Sequence, residues 1–449
     1  MLMTSMAERL LNTAYVIPAC LWERRVPFFP AILIDGMQTA RLKRIVRHAW
    51  KHAPFYRQAM QARGLNPTDF RTAKDLEKLP LISKAEMKED SSIFNSCRVD
   101  TEQDFSLRTG NYKHIFWSRK AALQWFARIS RTRQVMNNLM NQDSGFVELS
   151  VNSEDGCNPN LNRYWNEMLL FRGRAAARRR IDINEPYEKV VQEINSVKPD
   201  ILYCFGSYSE NLIKFVVNRD LRMHSPKIWV YGSDMMGAGT RKLIEERLGC
   251  PVYAAYNMNE TGPLSFECER RNGYHINTDV FVVRVIDEDG NTLPNGETGE
   301  IVISNLVNTS TILLNYRTGD RGRIDPEPCP CGRRLPVLKD LMGRVSDKIY
   351  FKGGINISFG QLDAQVGQLL SDRVSLYQII QDHPGHVRWN LVPLTNCNKG
   401  AVENEMRDLM KIVLPQKSKV EFSWVENVEL TPTMKRKFVL HRFETGNRG

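Results

Sequence analysis

The sequence has no apolar stretch long enough to cross a membrane. The best early candidate, residues 15–20 followed by residues 28–34, is interrupted by Glu23, Arg24 and Arg25, whereas a spanning helix needs about 20 consecutive apolar residues. The N-terminus also lacks the basic start, apolar centre and small-residue cleavage site of a signal peptide. We therefore predict a cytoplasmic protein with no membrane partner.

Several signatures of common enzymes are missing as well. The chain has no G-x-S-x-G nucleophile elbow and no Walker phosphate loop, which excludes the usual forms of serine hydrolase and P-loop enzyme. It has no internal repeat and no low-complexity tract, which excludes a solenoid or an extended disordered segment. Cysteine is sparse: nine in 449 residues, mostly scattered. This favours reduced thiols, with any clustered ones as metal ligands.

The chain does carry a surplus of positive charge. Lys and Arg total 62 against 51 for Asp and Glu, giving a formal net charge of +11. Such a surplus attracts anions, whether nucleic acid, a membrane surface or a phosphorylated small molecule. A nucleic-acid binder would interleave aromatic residues with a basic groove, and no segment does so compactly enough. We predict no nucleic-acid partner, and the length favours two or three domains.

Helix-like and strand-like segments alternate between about residue 120 and residue 350. The patterns predict helices over residues 121–139, 187–196 and 210–219, and strands over residues 145–151, 200–205 and 228–231. This alternation indicates an α/β domain with buried strands. Upstream, residues 37–52 show helical spacing, and Ser83 with Glu86 forms a capping box that opens another helix.

The pattern changes after Val280. Residues 281–306, FVVRVIDEDGNTLPNGETGEIVISNL, contain two strands separated by Asp-Gly and Pro-Asn-Gly turns, which predicts a small β-meander or barrel. The last hundred residues contain short strands and helices and look like a separate small α+β domain. We place the boundary so that the domains cover residues 1–343 and 344–449.

Four segments in a fixed order carry the strongest functional signal. They are VYAAYNMNETG at 252–262, YRTGD at 316–320, GRVSDKIYFKGGINIS at 343–358 and LTPTMKRKFVL at 430–440, with PCPCGRRLP between the second and third. Together they resemble the adenylate-forming ligase superfamily, and within it the phenylacetate–CoA ligase and CapK-like branch. The resemblance covers most of the chain, from His48 to Lys435.

The resemblance implies an ATP-dependent ligase with a large α/β domain, residues 1–343, that binds ATP and a carboxylic acid. Residues 344–449 would form a mobile lid. Such an enzyme joins the acid, an aromatic one in this branch, to the α-phosphate of ATP, releases pyrophosphate and passes the acyl group to coenzyme A. Two alternatives stay open. One is a CoA-independent adenylating enzyme of natural-product biosynthesis that serves an amine or an acidic carrier protein. The other is a degenerate, non-catalytic binding protein. The oligomeric state is also open, a homodimer being one option.

The family motifs assign roles to four charged residues. Glu260 matches the acid that holds Mg²⁺ against the phosphates, and Asp320 matches the acid that accepts from the ribose hydroxyls. Lys435 matches the catalytic lid cation that bridges the substrate carboxylate and the phosphate as charge develops, and Lys437 is the alternative for this role. Arg344 matches a contact to the ribose or phosphate. Considered alone, each acid would be an ordinary loop residue and Lys435 a solvated charge. The occurrence of all four motifs in the order of the family favours the functional roles.

The resemblance also assigns positions that line the nucleotide and substrate pockets. The ATP contacts would be Gly232, Ser233, Asp234, Tyr256 and Asn257. The acid substrate would contact Tyr203, Ser207 and Tyr208. A plain turn after a strand accounts equally well for Gly232, Ser233 and Asp234. Core packing accounts equally well for the three substrate positions.

The phosphate-binding loop departs from the family pattern. The family has a loop of the type S-S-G-T-T-G-x-P, whose backbone N–H groups wrap the pyrophosphate. Residues 105–113 read FSLRTGNYK, so Thr109 and Gly110 remain as ATP contacts while the earlier glycine and the proline are lost. Two basic side chains in the loop could supply charge instead, or the loop could be non-functional. Asn315 also stands where an arginine is frequent.

Four further residues suggest a metal site. They are Cys268, His275, Cys329 and Cys331. Three thiolates and an imidazole suit structural zinc, although the C-x-C spacing is tighter than the usual C-x-x-C and four unlinked turn residues would give the same spacing. Because some members of the family resemble this pattern, we expect a structural zinc ion.

Overall fold

The computed structural model describes residues 4–99, 105–108, 114–143, 145–152, 157–170, 176–341, 347–370, 373–394, 397–429 and 437–443. The chain forms two compact units. Unit 1 comprises residues 1–145, 154–176 and 255–340, and unit 2 comprises residues 146–153, 177–254 and 341–449.

The helices of the described chain are α1 (Met6–Arg25), α2 (Ala31–His52), α3 (Pro54–Gln61), α4 (Lys84–Asp90), α5 (Arg119–Met140), α6 (Cys157–Met168), α7 (Tyr187–Val197), α8 (Gly206–Asn218), α9 (Ala238–Leu248), α10 (Phe359–Leu370) and α11 (Lys399–Val413). The strands are β1 (Phe105–Arg108), β2 (His114–Trp117), β3 (Phe146–Asn152), β4 (Ala176–Asp182), β5 (Ile201–Phe205), β6 (Ile228–Gly232), β7 (Val252–Ala255), β8 (Ser265–Glu267), β9 (Tyr274–Ile276), β10 (Phe281–Ile286), β11 (Gly299–Asn305), β12 (Tyr316–Ile324), β13 (Val337–Lys339), β14 (Lys348–Tyr350), β15 (Asn356–Ser358), β16 (Val374–Gln381), β17 (His386–Pro393), β18 (Lys419–Trp424) and β19 (Val439–His441).

Unit 2 contains the parallel sheet predicted from the alternating pattern. The strand order is β4-β3-β5-β6-β7, and the pairs β3/β5 and β5/β6 are parallel. Every residue of β6 is buried, as expected for a strand covered on both faces. Because β5 and β6 are parallel neighbours, the segments that follow them lie at the same edge of the sheet, where ligands bind in α/β folds. The α/β prediction is confirmed.

The C-terminal part of unit 2 is a small α+β fold. Its sheet has the order β18-β17-β16-β19, with β16 and β17 antiparallel and the outer strands parallel to their neighbours. Its core includes Trp389 of β17, Phe359 and Val366 of α10, and Met406 of α11. The domain boundary between residues 343 and 344 lies outside the described residues and stays a prediction.

Unit 1 contains the predicted meander. Its sheet has the order β10-β11-β12-β13-β9-β8, and the neighbouring strands are antiparallel. The turn after β10 is closed by the side chain of Asp287, which accepts from the backbone N–H of Asn291 at 2.8 Å, and Gly290 supplies the left-handed backbone that the turn requires, with φ of 90°.

The helices upstream of the sheet are partly as predicted. Helix α2 begins at Ala31, earlier than the predicted residue 37, and ends at His52. The capping box opening α4 is formed, because Ser83 and Glu86 each accept from the other's backbone N–H. Helix α1 was not predicted. No helix among the described residues is both long and apolar enough to cross a membrane.

Candidate functional site

Two tyrosine hydroxyls hold the two predicted acids of unit 1. The Tyr256 hydroxyl, just after β7, donates a 2.9 Å hydrogen bond to Oδ2 of Asp320. The Tyr316 hydroxyl, at the start of β12, donates to Oε1 of Glu260 at 3.2 Å. Each carboxylate is therefore oriented by a phenol, and two motifs separated by more than fifty residues in the sequence meet through their side chains.

The electrostatics of this pair keep Tyr256 protonated. Burial raises the pKa of the Tyr256 hydroxyl well above its ordinary value, and the negative charges of Asp320 and Glu260 raise it further. A phenol in this setting donates, so Asp320 is the acceptor. An oriented carboxylate that accepts hydrogen bonds is the group needed to bind a pair of ligand hydroxyls.

Asp320 lies within β12, where the pairing with β11 shifts register. Gly319 has φ of 74°, and the backbone N–H of Asp320 donates to Oγ1 of Thr318 at 3.0 Å. A Cβ placed on Gly319 would lie 3.6 Å from Nζ of Lys84, so an ammonium group approaches this irregular part of the strand. Lys84 was not among the predicted site residues. The sequence signal for it was its place directly after Ser83, the N-cap of α4.

Asn315, one of the departures from the family pattern, has a structural role here. It is buried, with a left-handed backbone of φ 60°, a conformation that asparagine tolerates better than most residues. Its amide donates to the carbonyls of Leu76 and Leu79 at 2.6 and 3.1 Å and accepts from Arg284 at 2.9 Å. Asn315 thereby ties the segment before α4 to the strand that carries Asp320.

In unit 2, the start of α8, directly after β5, is joined to the turn after β6 by Ser207 and Asp234. The Ser207 backbone N–H donates to Oδ1 of Asp234 at 3.3 Å, and the Ser207 hydroxyl donates to Oδ2. Gly206 permits this approach, because a Cβ there would lie 2.6 Å from the carbonyl oxygens of Asp234 and Met235. A residue predicted to bind the acid substrate is thus in contact with one predicted to bind ATP.

The other predicted residues of unit 2 differ in environment. Gly232 ends β6, and Ser233 is exposed with φ of 70°. Tyr203 is half-buried on β5. Tyr208 is buried and packs against Tyr187 with 5.3 Å between ring centroids, and its hydroxyl has no hydrogen-bond partner in the part of the chain that the structure describes. Burial raises the pKa of Tyr208, so it stays neutral.

Four predicted positions cannot be placed. Thr109 and Gly110, which follow β1, lie outside the described residues, as do Arg344 and Lys435. Strands β1 and β2 on either side of residues 109–113 pair antiparallel. In unit 1, Asn257 is exposed next to Tyr256.

The four predicted metal ligands converge in unit 1. Their ligand atoms all lie within 4.8 Å of one another. The Sγ atoms of Cys268 and Cys329 are 3.7 Å apart, and Sγ of Cys331 is 3.3 Å from Nε2 of His275. Tetrahedral zinc with ordinary bond lengths would separate two sulfurs by about 3.8 Å and a sulfur from a nitrogen by about 3.6 Å. The thiols are free and too far apart for a disulfide.

The environment of His275 suits a metal ligand. Its Nδ1 lies 3.2 Å from the carbonyl oxygen of Leu335, which makes Nδ1 the donor and turns Nε2 towards the cysteines. Burial lowers the pKa of His275 to about 4, so the imidazole is neutral at physiological pH. The strands β8 and β9 position Cys268 and His275, and the loop between β12 and β13 supplies the other two thiols. Donor set and geometry fit a structural zinc ion.

Family models match two parts of the chain. The AMP-binding enzyme family matches residues 168–312, and the CapK C-terminal domain family matches residues 349–442. The chain is 27% identical to the phenylacetate–coenzyme A ligase of Thermus thermophilus over 383 residues, which are 81% of this chain and 82% of the relative. It is 26% identical to the same enzyme of Escherichia coli, over 79% of this chain and 80% of the relative. It is also 19% identical to protein CapK of Staphylococcus aureus, over 57% of this chain and 55% of that protein.

Solved structures share the fold. 2-Hydroxyisobutyryl-CoA ligase in its postadenylation state aligns with a TM-score of 0.77 at 21% identity, over 93% of this chain and 91% of that one. An anthranilate CoA ligase aligns with a TM-score of 0.54 at 13% identity, over 81% of this chain and 73% of that one. Both likenesses bear on architecture, and the fold predicted from the motifs agrees with them.

Proposed function

Because this chain belongs to the adenylate-forming ligase superfamily, in its phenylacetate–CoA ligase and CapK-like branch, we propose that it activates a carboxylic acid with ATP and transfers the acyl group to coenzyme A. The first step would form an acyl-adenylate and release pyrophosphate. We further propose an aromatic acid, following the phenylacetate named in the related enzymes.

The single observation that supports this proposal best is the pair of phenol–carboxylate hydrogen bonds in unit 1. Tyr256 orients Asp320 and Tyr316 orients Glu260, and all four residues belong to the motifs that define the family resemblance. A degenerate binding protein would have no need to keep both carboxylates oriented. The altered loop at residues 105–113 does not remove either of them.

Each acid has a proposed role that follows from its chemistry. Asp320 would accept from the ribose hydroxyls and fix the nucleotide. Glu260, with one oxygen held by Tyr316, would hold Mg²⁺, which supplies positive charge to the phosphates when bound. Lys435 would stabilise the negative charge that develops between the substrate carboxylate and the α-phosphate. Asp234 and Ser207, joined in unit 2, would shape the adenine and acid pockets.

A pyrophosphate-release assay with a panel of carboxylic acids tests the proposal. We expect release that depends on one class of acid, strongest with aromatic acids. Glu260→Gln and Lys435→Ala should each lower the rate by about 100-fold or more, in line with losing one preorganised charge in a transition state. The matched control is Lys411→Ala, which removes a solvent-exposed cation of α11 and should leave the rate nearly unchanged.

Two results would overturn the proposal. One is a protein that neither binds ATP in calorimetry nor releases pyrophosphate with any acid, which is the behaviour of a non-catalytic binding protein. The other is full activity in both Glu260→Gln and Lys435→Ala. Product analysis with and without coenzyme A separates thioester formation from transfer to an amine, because the thioester requires coenzyme A in the mixture.

A further inference from the structure

Large apolar side chains that face solvent are concentrated at the start of the chain. Among the described residues, thirteen large hydrophobic side chains are exposed, and ten of them fall between residues 6 and 33. The other three, Ile93, Ile355 and Ile412, are dispersed. Single exposed hydrophobic residues are ordinary on a protein surface, whereas a concentration of this kind marks an interaction site.

Helix α1 carries most of this surface on one side. At 100° per residue, the exposed residues project from one continuous half of the helix. They include Leu10, Leu11, Tyr15, Ile17, Leu21 and Trp22. We call this half of α1 the apolar face. The exposed side chains of Phe28, Ile32 and Leu33 follow it directly in the chain.

The opposite half of α1 is mainly polar and packs against the rest of unit 1. Thr13 and Glu23 are buried there beside Val16. Glu23 forms an ion pair with Arg131 of α5, and the guanidinium of Arg9 donates to the carbonyl of Leu169 at 2.7 Å. An ordinary surface helix buries its apolar side and exposes its polar one. Helix α1 has the reverse arrangement, so the apolar face is not a by-product of weak packing onto unit 1.

The size of the surface argues for a protein partner. The seven large apolar residues exposed on α1 are 40% to 71% exposed. With about 200 Å² for a large side chain, they present on the order of 800 Å² of apolar surface. The largest apolar patch of a typical monomer is about 300–600 Å², and a stable interface buries about 800 Å² on each partner.

We propose that the occupant is the apolar face of a second copy of this chain, packed antiparallel across a two-fold axis. A two-fold interface uses the same surface on both partners. An apolar face of this area that packs against its own copy is therefore sufficient to hold a dimer together. The ends of α1 carry opposite charges, with Glu8 in the first turn and Arg24 and Arg25 in the last; Glu8 also pairs with Arg119 of its own chain at 3.1 Å and stays half-exposed. In antiparallel packing, the acidic N-terminal end of one α1 lies beside the basic C-terminal end of the other. The dipoles of the two helices then also oppose each other, which is favourable.

A membrane surface is the less suitable occupant. Helices that lie on membranes carry lysine and arginine along a polar face directed at lipid headgroups. Helix α1 contains no lysine, and its polar side is turned into unit 1, where Arg9 and Glu23 already have protein partners. Packing against a second copy of the chain explains the exposed apolar face and, unlike membrane binding, does not require a lysine- and arginine-rich face.

Sedimentation velocity of the full-length protein tests the proposal directly. We expect a species of twice 51.8 kDa at micromolar concentration, and a shift to the monomer in Leu10→Glu and Leu21→Glu. Ile412→Glu is the matched control, because Ile412 is 82% exposed on α11, and it should stay dimeric. Circular dichroism and thermal unfolding confirm that the variants are folded. A parent protein that stays monomeric, or glutamate variants that stay dimeric, would overturn the proposal.

Disulfide trapping tests the antiparallel arrangement. In a Cys97→Ser background, which removes an exposed native thiol, Ala14→Cys at the exposed middle of the apolar face should cross-link to its counterpart under mild oxidation. Ala7→Cys near one end should not, since antiparallel packing holds the two copies of that position far apart. Efficient cross-linking of Ala7→Cys would contradict the arrangement. Flotation of a monomeric parent with anionic phospholipid vesicles would instead identify a lipid surface as the occupant.

Discussion

The hydroxyl of Tyr256 donates a 2.9 Å hydrogen bond to the carboxylate of Asp320. The bond links the middle of the motif at residues 252–262 to the last residue of the motif at 316–320, 64 positions later. Since Tyr256 stays protonated, it acts as a fixed donor that sets the orientation of the carboxylate proposed to bind the ribose.

Removing that donor should weaken nucleotide binding and leave the fold intact. For Tyr256→Phe we expect kcat/KM for ATP to fall by about 10-fold to 100-fold, the usual effect of losing a hydrogen bond to a charged group, with most of the change in KM. Steady-state kinetics of pyrophosphate release measures it. Tyr15→Phe, which changes a partly exposed tyrosine on α1, is the control. Unchanged kinetics in Tyr256→Phe would show that Asp320 does not need this phenol.

The convergence of Cys268, His275, Cys329 and Cys331 predicts about one zinc ion per chain. Elemental analysis of protein purified without chelator measures the content. Cys331→Ser should lower the zinc content and the Tm together, because the metal links β8 and β9 to the loop before β13 and a structural site contributes directly to folding. Cys97→Ser, which changes an exposed cysteine outside the cluster, should keep the zinc content and the Tm of the parent protein. A parent protein without zinc, and with the same Tm as Cys331→Ser, would refute a structural metal.

Asp279 anchors a buried charge cluster in unit 1. It accepts from Arg131 at 2.7 Å and pairs with Arg41 at 2.8 Å, while its own side chain has no exposure. Asp279→Asn should lower the free energy of unfolding by about 3–5 kcal/mol, because Arg41 and the buried Arg131 each lose a carboxylate partner, while Arg131 keeps its pair with Glu23. Urea denaturation measures the effect. Asp408 forms a solvent-exposed pair with Lys411, so Asp408→Asn should change the free energy of unfolding little.

The pH dependence of this cluster has a definite sign. Burial alone would raise the pKa of Asp279, but the charge and hydrogen bonds of Arg131 outweigh it and hold the pKa below its ordinary value. A lowered folded-state pKa stabilises the protein above the unfolded pKa of about 3.9. That contribution is present at pH 7 and is lost as the pH falls below about 4. The stability gap between parent and Asp279→Asn should therefore narrow in acid; a constant gap would contradict the assignment.

At Gly206 a single added methyl group should disturb the local packing of unit 2. A Cβ there would lie 2.6 Å from the backbone at Asp234 and Met235, so Gly206→Ala must push the start of α8 away from the turn after β6. We expect a fall in Tm and a rise in KM for the acid substrate. Gly36→Ala is the control, because nothing lies within 4 Å of a Cβ at Gly36 of α2, and helix propensity predicts a gain of about 1 kcal/mol. If Gly206→Ala and Gly36→Ala had the same Tm and the same KM for the acid substrate, a close contact at Gly206 would be contradicted.

The parallel sheet was predictable because its strands are short apolar runs, and β6 is buried throughout. The Cys3His cluster was predictable from residue type, although the sequence left unlinked turn residues as an alternative. The contact between Ser207 and Asp234 was not predicted, because it depends on which strands are neighbours in the sheet. The position of Lys84 beside Gly319 joins segments more than two hundred residues apart, which no local pattern specifies.

Helix α1 was missed for a physical reason. Its apolar residues looked like an interrupted run that is too short to span a membrane, because Glu23, Arg24 and Arg25 end it. Glu23 is in fact a buried side chain that pairs with Arg131. A helix whose charged side is buried reverses the usual expectation about which side chains form the core, so the sequence pattern alone assigns the wrong face.

The chain order of the metal ligands has a consequence for synthesis on the ribosome. Cys268 and His275 are made first, and the ligand set is completed when Cys331 emerges. By then the strands from β3 to β7 have already left the ribosome. Because protein domains tend to fold in the order in which they are made, the parallel sheet can form while unit 1 is still incomplete. A zinc ion bound by these four residues would then close unit 1 after the parallel sheet has formed. Zinc shortage during growth should leave unit 1 of the chain more exposed to proteolysis.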